Sequence, residues 1–156
     1  MKKVLAVDYG LKRIGLASGD TSNQIAFPRD VIRRKDDEQA LAALLDVVRE
    51  GTYDVVVFGA PIDMDGGKGR QYQVTMVFID KFRGVLVDGG ADGGGENVGC
   101  GFGREVVVEV VDERLSSFEA DEMLKEFEGS GMRKAEGDRD VMAAKVILER
   151  WFEGVA

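Results

Sequence analysis

Three acids in this 156-residue chain stand where a carboxylate costs free energy unless something neutralises it. Asp8 closes the apolar run Val4, Leu5, Ala6, Val7 in "KKVLAVDYG". Glu113 closes "REVVVEVVDE", just before a segment with a helix-cap signature. Asp140 opens "DVMAAKVILERWFE" and precedes Ala144, Ile147 and Trp151 by four, seven and eleven residues. Those offsets put it on the helix face that the apolar residues define. Open α/β sheets form their sites beyond strand ends, where two of these acids sit. Three acids converging there repel one another unless cations intervene. Hard divalent ions such as Mg²⁺ take carboxylate oxygens and keep several waters. A pair of such ions roughly 4 Å apart can activate a water and stabilise the leaving oxygen of a phosphodiester.

Each acid also has a plainer explanation. Asp140 in a first helical turn complements the helix dipole. Glu113 can pair with Arg114, and Asp8 can stabilise the turn at Gly10. Asp112 and Asp138 are close competitors. Asp138 reads as a cap just outside the helix, able to assist or replace Asp140. Asp112 points to the opposite side of its strand from Glu113.

Composition narrows the chemistry further. The chain has no histidine, which excludes a Ser-His-Asp or Cys-His triad and any His-ligated zinc site. A single cysteine, Cys100, excludes an internal disulfide and fits a reducing cytoplasm. The opening is basic then apolar, but Asp8 cuts the apolar part too short for a signal peptide. No apolar run approaches the roughly 20 residues that span a bilayer, so no membrane is expected. A net charge of −8 argues against loose adhesion to nucleic acid. Local basic clusters remain: Arg29, Arg33, Arg34 and Lys35; Lys68 and Arg70; Arg133, Lys134 and Arg139.

The elements that must position the acids are legible as patterns. Residues 3–8 and 14–19 read as strands around the turn "YGLKR", with a third extended piece over 25–33 that Pro28 marks as an edge or irregular start. Leu41, Leu44, Leu45 and Val48 follow helical spacing, with Asp36, Asp37 and Glu38 in the first turn and Gly51 at C′. "YDVVVFG" at 53–59 reads as a buried central strand. The Gly-rich "GAPIDMDGGKGR" leads into a helix over roughly 70–86, with Val74, Phe78, Ile79, Phe82 and Leu86 on its apolar stripes. Residues 104–113 read as a strand. Ser116 and Glu119 form a capping box for the helix that follows, and Ala120, Met123, Leu124 and Phe127 make its stripe. Ala144, Ile147, Leu148 and Trp151 line the last helix. The order implies one α/β domain with a mixed sheet covered by helices. Residues 88–103 fit no element. Rich in glycine and acidic, they read as a flexible insert rather than a phosphate cradle.

The segments "VDYGLKRIGLA", "GAPIDMDG", "VDERLSSFEA" and "DVMAAKVIL" resemble, in order, the signature motifs of the YqgF/RuvX family. The resemblance covers residues 2–86 and 104–153. It implies an RNase H-like fold: a mixed five-stranded sheet with helices on both faces. It further implies a nuclease, either of pre-16S rRNA or of Holliday junctions. By motif position, the family's metal-binding acids fall on Asp8, Glu113 and Asp140, which would hold two Mg²⁺ or Mn²⁺ ions. Gly10 would let backbone approach a phosphate. Arg13 and Arg114 are candidate phosphate contacts. The insert of roughly a dozen residues departs from the family pattern.

The leading expectation is therefore a metal-dependent endonuclease on structured nucleic acid, processing the 5′ end of pre-16S rRNA. The small-subunit precursor is then a partner, and bases at 12–13, 29–35 and 133–139 position the backbone. Alternatives are a resolvase of four-way DNA junctions and a non-catalytic ribosome-assembly module. Symmetric junction cutting needs a two-fold dimer, whereas the rRNA nuclease works as monomer or dimer. An actin-like ATPase shares the D-x-G turn but needs two lobes, and this length holds one.

Overall fold

The computed structural model describes residues 1–61, 69–88, 106–112 and 138–155, the side chains of 87, 88, 112, 138, 139 and 155 excepted. The elements are β1 (Lys3–Tyr9), β2 (Arg13–Asp20), β3 (Phe27–Arg33), α1 (Asp37–Gly51), β4 (Val55–Ala60), α2 (Arg70–Asp88), β5 (Val107–Asp112) and α3 (Asp138–Val155). The five strands form one sheet in the order β3-β2-β1-β4-β5. β1 pairs antiparallel with β2, and β2 with β3, while β4 runs parallel to both β1 and β5. This is the mixed five-stranded sheet that the resemblance implied.

Alternation along the strands divides the core into two layers. Leu5, Val7 and Tyr9 of β1 join Ile14 and Leu16 of β2 and Val56 and Phe58 of β4 under α1 and α2. There Phe58, Phe78 and Phe82 pack edge-on, with ring centroids 5.5–6.3 Å apart. Val4, Ala6, Ala17, Val55 and Val57 face the other way, against Ala144, Ile147, Leu148 and Phe152 of α3. Helices thus cover both faces. β3 carries Pro28 at the sheet edge, and its pairing slips between Gly15 and Ala17. That is where a residue without an N–H is tolerated.

Several element ends differ from the sequence reading. α1 takes Asp36 as N-cap, whose carboxylate accepts from the Gln39 amide. The helix runs through Gly51, and Thr52 adopts the left-handed conformation instead (φ 52°). Gly51 is needed for space, since a Cβ there would lie 2.3 Å from the Tyr53 ring. α2 continues to Asp88, so the first residue assigned to the insert is helical. The rest of the insert and the helix expected after Ser116 lie outside the described residues. α3 begins at Asp138, which is therefore in the helix rather than outside it, and Asp140 is its third residue. On α3 the buried face is wider than the four-residue stripe. It adds Met142, Ala143, Val146 and Phe152, while Trp151 is half-buried.

α3 reaches the sheet through one small residue. A Cβ on Gly15 would lie 2.1 Å from the Asp140 carbonyl oxygen and 2.9 Å from its Cβ. The obstructing atoms are mostly backbone, which cannot rotate aside. Gly15→Ala is therefore expected to lose about 1–3 kcal/mol of stability, the usual cost of overpacking a fixed contact. Urea denaturation measures this, and an unshifted midpoint would contradict the docking.

Candidate functional site

The two described acids of the predicted three, from distant parts of the chain, both adjoin Gly15. Asp8 follows Val4 and Ala6 along β1, and both of those are fully buried beneath α3. The same alternation turns Asp8 towards the α3 face, where it is half-buried. Its cross-strand partner on β2 is Gly15. Asp140 rests on Gly15. The absent side chain on β2 is thus the gap through which the first turn of α3 comes up beside the end of β1. On β5, Val111 packs with the same layer. Glu113, the next residue of that alternating row in sequence, lies outside the described residues, as does Arg114.

Arg13 is drawn into this group. Its Nε donates to Asp140 Oδ2 at 2.9 Å, with the two side chains 34 % and 22 % exposed. A guanidinium expected to face a phosphate therefore first meets a carboxylate. Gly10 also has a local role in the turn. A Cβ there would lie 2.5 Å from the Arg13 carbonyl oxygen, so the turn closes on itself only with glycine. Its smallness serves the turn that presents Arg13.

The opposite face of the same strand pair carries a cluster that sequence spacing did not reveal. Asp37, in the first turn of α1, accepts from Tyr9 Oη at 2.7 Å, from Arg34 at 2.7 and 3.1 Å, and from Lys81 of α2 at 3.1 Å. Arg34 lies over the Tyr9 ring, 5.5 Å from its centroid, and donates to the Leu11 carbonyl at 3.0 Å. Its own amide donates to the Lys12 carbonyl at 2.9 Å. Charge-assisted bonds of this kind are the strong ones. Together they hold the 10–13 turn from below while Asp140 meets it from above. The acidic run 36–38 signalled a helix start. Only the return of Tyr9, Arg34 and Lys81 to one point makes Asp37 an anchor.

The cluster perturbs its members. Burial first, and the Asp37 carboxylate second, push the Tyr9 phenol up to about 12. Burial would raise the Asp37 carboxyl, but hydrogen bonds from Arg34, Tyr9 and Lys81 outweigh it and hold the group below the ordinary carboxylate range. The fold therefore favours the neutral phenol and the ionised carboxylate. Stabilisation from Tyr9 is whole below about pH 10, the unperturbed tyrosine value, and is lost as pH rises towards 12. That from Asp37 is present above the usual carboxylate pKa and lost as pH falls below it. A tyrosinate absorbance titration should show one of the three tyrosines ionising near pH 12, absent from Tyr9→Phe. A titration unchanged in the variant would contradict the cluster.

Among the described residues no group of three or more His, Cys, Asp or Glu side chains could hold a metal ion. Nor is any described helix long and apolar enough to cross a membrane.

Comparison with known proteins places this arrangement. A family model described as "RuvX: Holliday junction resolvase" matches residues 2–154. A protein of Anaeromyxobacter sp. (strain Fw109-5) named "Putative pre-16S rRNA nuclease" is 34 % identical over 152 residues, covering 97 % of each chain. A protein of the same name from Maridesulfovibrio salexigens is 33 % identical over 153 residues, covering 96 % of this chain and 97 % of its own. Among solved structures, Thermus thermophilus RuvC in complex with a Holliday junction substrate superposes with a TM-score of 0.55 at 14 % identity, over 99 % of this chain and 96 % of that one. The fowlpox virus resolvase bound to Holliday junction DNA gives 0.53 at 13 % identity, over 98 % of both chains. At such identities the likeness is one of fold, and it identifies the sheet as RNase H-like. With a family model spanning nearly its whole length, the chain belongs to the RuvX family.

Proposed function

We propose that this protein is a divalent-metal-dependent endonuclease that trims the 5′ end of pre-16S rRNA. The observation that carries the reading is that Asp8 and Asp140 both adjoin Gly15, Asp8 as its cross-strand partner and Asp140 through its backbone and Cβ, at the end of the central strand of an RNase H-like sheet. Relatives at 33–34 % identity bear the pre-16S rRNA nuclease name. In this reading the chain is a single nuclease domain carrying a Gly-rich insert.

The donor set suits a hard ion. Asp8 and Asp140 offer carboxylate oxygens, no histidine competes, and a guanidinium already sits on Asp140, marking the place as one that takes positive charge. Asp8, Asp140 and, by motif position, Glu113 would hold two Mg²⁺ or Mn²⁺ ions. When bound, such ions supply an activated water and stabilise charge on the phosphodiester oxygens. The residues of the chain do the rest. Strand register and the α3 contact set Asp8 and Asp140 beside Gly15, which supports a site that needs little reorganisation on binding. Arg13 fixes the Asp140 carboxylate through Nε and keeps positive charge beside it. Cleavage leaves a 5′-phosphate and a 3′-hydroxyl.

A second reading keeps the chemistry and changes the substrate. The family description names Holliday junction resolution. A resolvase cuts symmetrically and requires a two-fold dimer. Asp8→Asn and Asp140→Asn should each lower Mg²⁺-dependent cleavage by at least about 100-fold, since several kcal/mol of charge stabilisation are at stake. Their unfolding transitions should stay close to the parent's. Precursor 16S rRNA and a four-way DNA junction, assayed side by side, identify the substrate. Full activity in either variant would sink the metal-site assignment. Tight RNA binding with no calorimetric metal binding would point to a non-catalytic assembly module.

A further inference from the structure

We propose that Arg34 is a positioning residue of the site: it fixes the 10–13 turn so that the Arg13 guanidinium meets the Asp140 carboxylate. Its consequence for cleavage rests on the nuclease reading above. The basic run Arg33, Arg34, Lys35 reads in the sequence as a contact for the nucleic-acid backbone. Arg34 is committed elsewhere. Its side chain is 18 % exposed and lies on the α1 and α2 side of the sheet, over the Tyr9 ring at 5.5 Å from the centroid.

The turn needs a hold from outside the strands. The β1–β2 ladder ends at Tyr9 with Ile14, and the β2–β3 ladder ends at Arg13 with Arg33, so residues 10–12 belong to neither. Arg34 takes both carbonyls of the tip. Its amide donates to the Lys12 carbonyl at 2.9 Å, and its Nη1 donates to the Leu11 carbonyl at 3.0 Å. A peptide unit is planar, so holding a carbonyl orients the whole unit and leaves only φ and ψ free on either side. Two consecutive units held in this way set the backbone that enters Arg13. Gly10 closes the other end, where a Cβ would lie 2.5 Å from the Arg13 carbonyl oxygen. Arg13 leaves the turn with its Nε 2.9 Å from Asp140 Oδ2.

The guanidinium can hold the turn because its other edge is anchored. Nε and Nη2 donate to Asp37 Oδ1 at 3.1 and 2.7 Å, which leaves Nη1 for the Leu11 carbonyl. A planar fork spans two acceptors at a fixed separation, whereas an ammonium is a point charge. Asp37 also accepts from Tyr9 and Lys81, so it keeps partners when Arg34 is replaced. Lys81 reaches this carboxylate from α2 and, among the described residues, does not bond the turn. The two cations thus share an anchor and differ only in what lies beyond it.

The test is solution NMR of the metal-free protein, in which the Arg13 Nε–H gives its own ¹H–¹⁵N signal, assigned by its loss in Arg13→Lys. Exchange of that proton with water reports how often the Asp140 bond opens. Arg34→Gln should speed the exchange about 5-fold or more, because a charged hydrogen bond no longer holds the turn. Arg34→Lys keeps the charge but cannot bridge Asp37 and Leu11, so it should do the same; it carries the test if Arg34→Gln does not fold. Lys81→Gln removes a half-exposed bond from the same carboxylate and should stay within about 2-fold of the parent. In cleavage assays Arg34→Gln should lower kcat about 10-fold or more and leave KM for the precursor RNA unchanged, as for a group that aligns the site without touching substrate. Exchange in either Arg34 variant equal to that in Lys81→Gln overturns the proposal. So does a raised KM with kcat kept, which would make Arg34 a substrate contact. The exchange measurement uses neither metal nor RNA, so its failure is distinct from failure of the catalytic assignment, which the Asp8→Asn cleavage assay reads.

Discussion

The close approach of α3 to β2 at Gly15 is the contact on which the rest of the site depends. Asp140 is 132 residues from Asp8 in sequence, and nothing local brings them together. The apolar face of α3 supplies the attraction, since Ala144, Ile147 and Leu148 lose all exposure against Val4, Ala6, Ala17, Val55 and Val57. That attraction alone would leave the helix at an ordinary packing distance. The missing Cβ at residue 15 lets its first turn come down to the backbone of the sheet. One hydrogen in place of a methyl group thus places a carboxylate.

The β1–β2 turn is held from both faces, and the two faces do different work. Below it, Asp37 gathers Tyr9, Arg34 and Lys81, joining the end of β1 to the starts of α1 and the body of α2. Above it, Arg13 meets Asp140. The period-2 alternation of β1 makes this division possible, because Asp8 and Tyr9 are adjacent in sequence yet belong to opposite layers. The bonds to Asp37 lie on the α1 and α2 side of the sheet, away from Asp8 and Asp140.

Carboxylates at a strand end suit hydrolysis of a phosphodiester in either RNA or DNA, which accords with the two substrate names borne within the family and among the relatives. Discrimination must come from the surfaces around the acids. There the chain departs from its overall charge of −8, with the Arg13 guanidinium beside Asp140. Local positive charge within a negative protein favours a phosphate backbone at one place and discourages adhesion elsewhere.

Much of this was legible in the sequence. Hydrophobic periodicity placed every described helix and strand to within a few residues, because burial of an apolar stripe dominates element formation. The acids stood out as charges at the ends of apolar runs, and the D-x-G and D-E-R-L-S-S motifs identified the family. Helix ends were less legible: Gly51 looked like a left-handed cap, and Asp138 like a residue outside α3. The contacts of Gly15 and Asp37 could not be read from spacing, since they are made by atoms far away in sequence. Residue types and their period thus determined the layers, the fold class and the candidate acids. Which acids adjoin Gly15, which arginine bonds Asp140 and which is turned away were decided by strand register and helix docking, because only these convert sequence distance into contact.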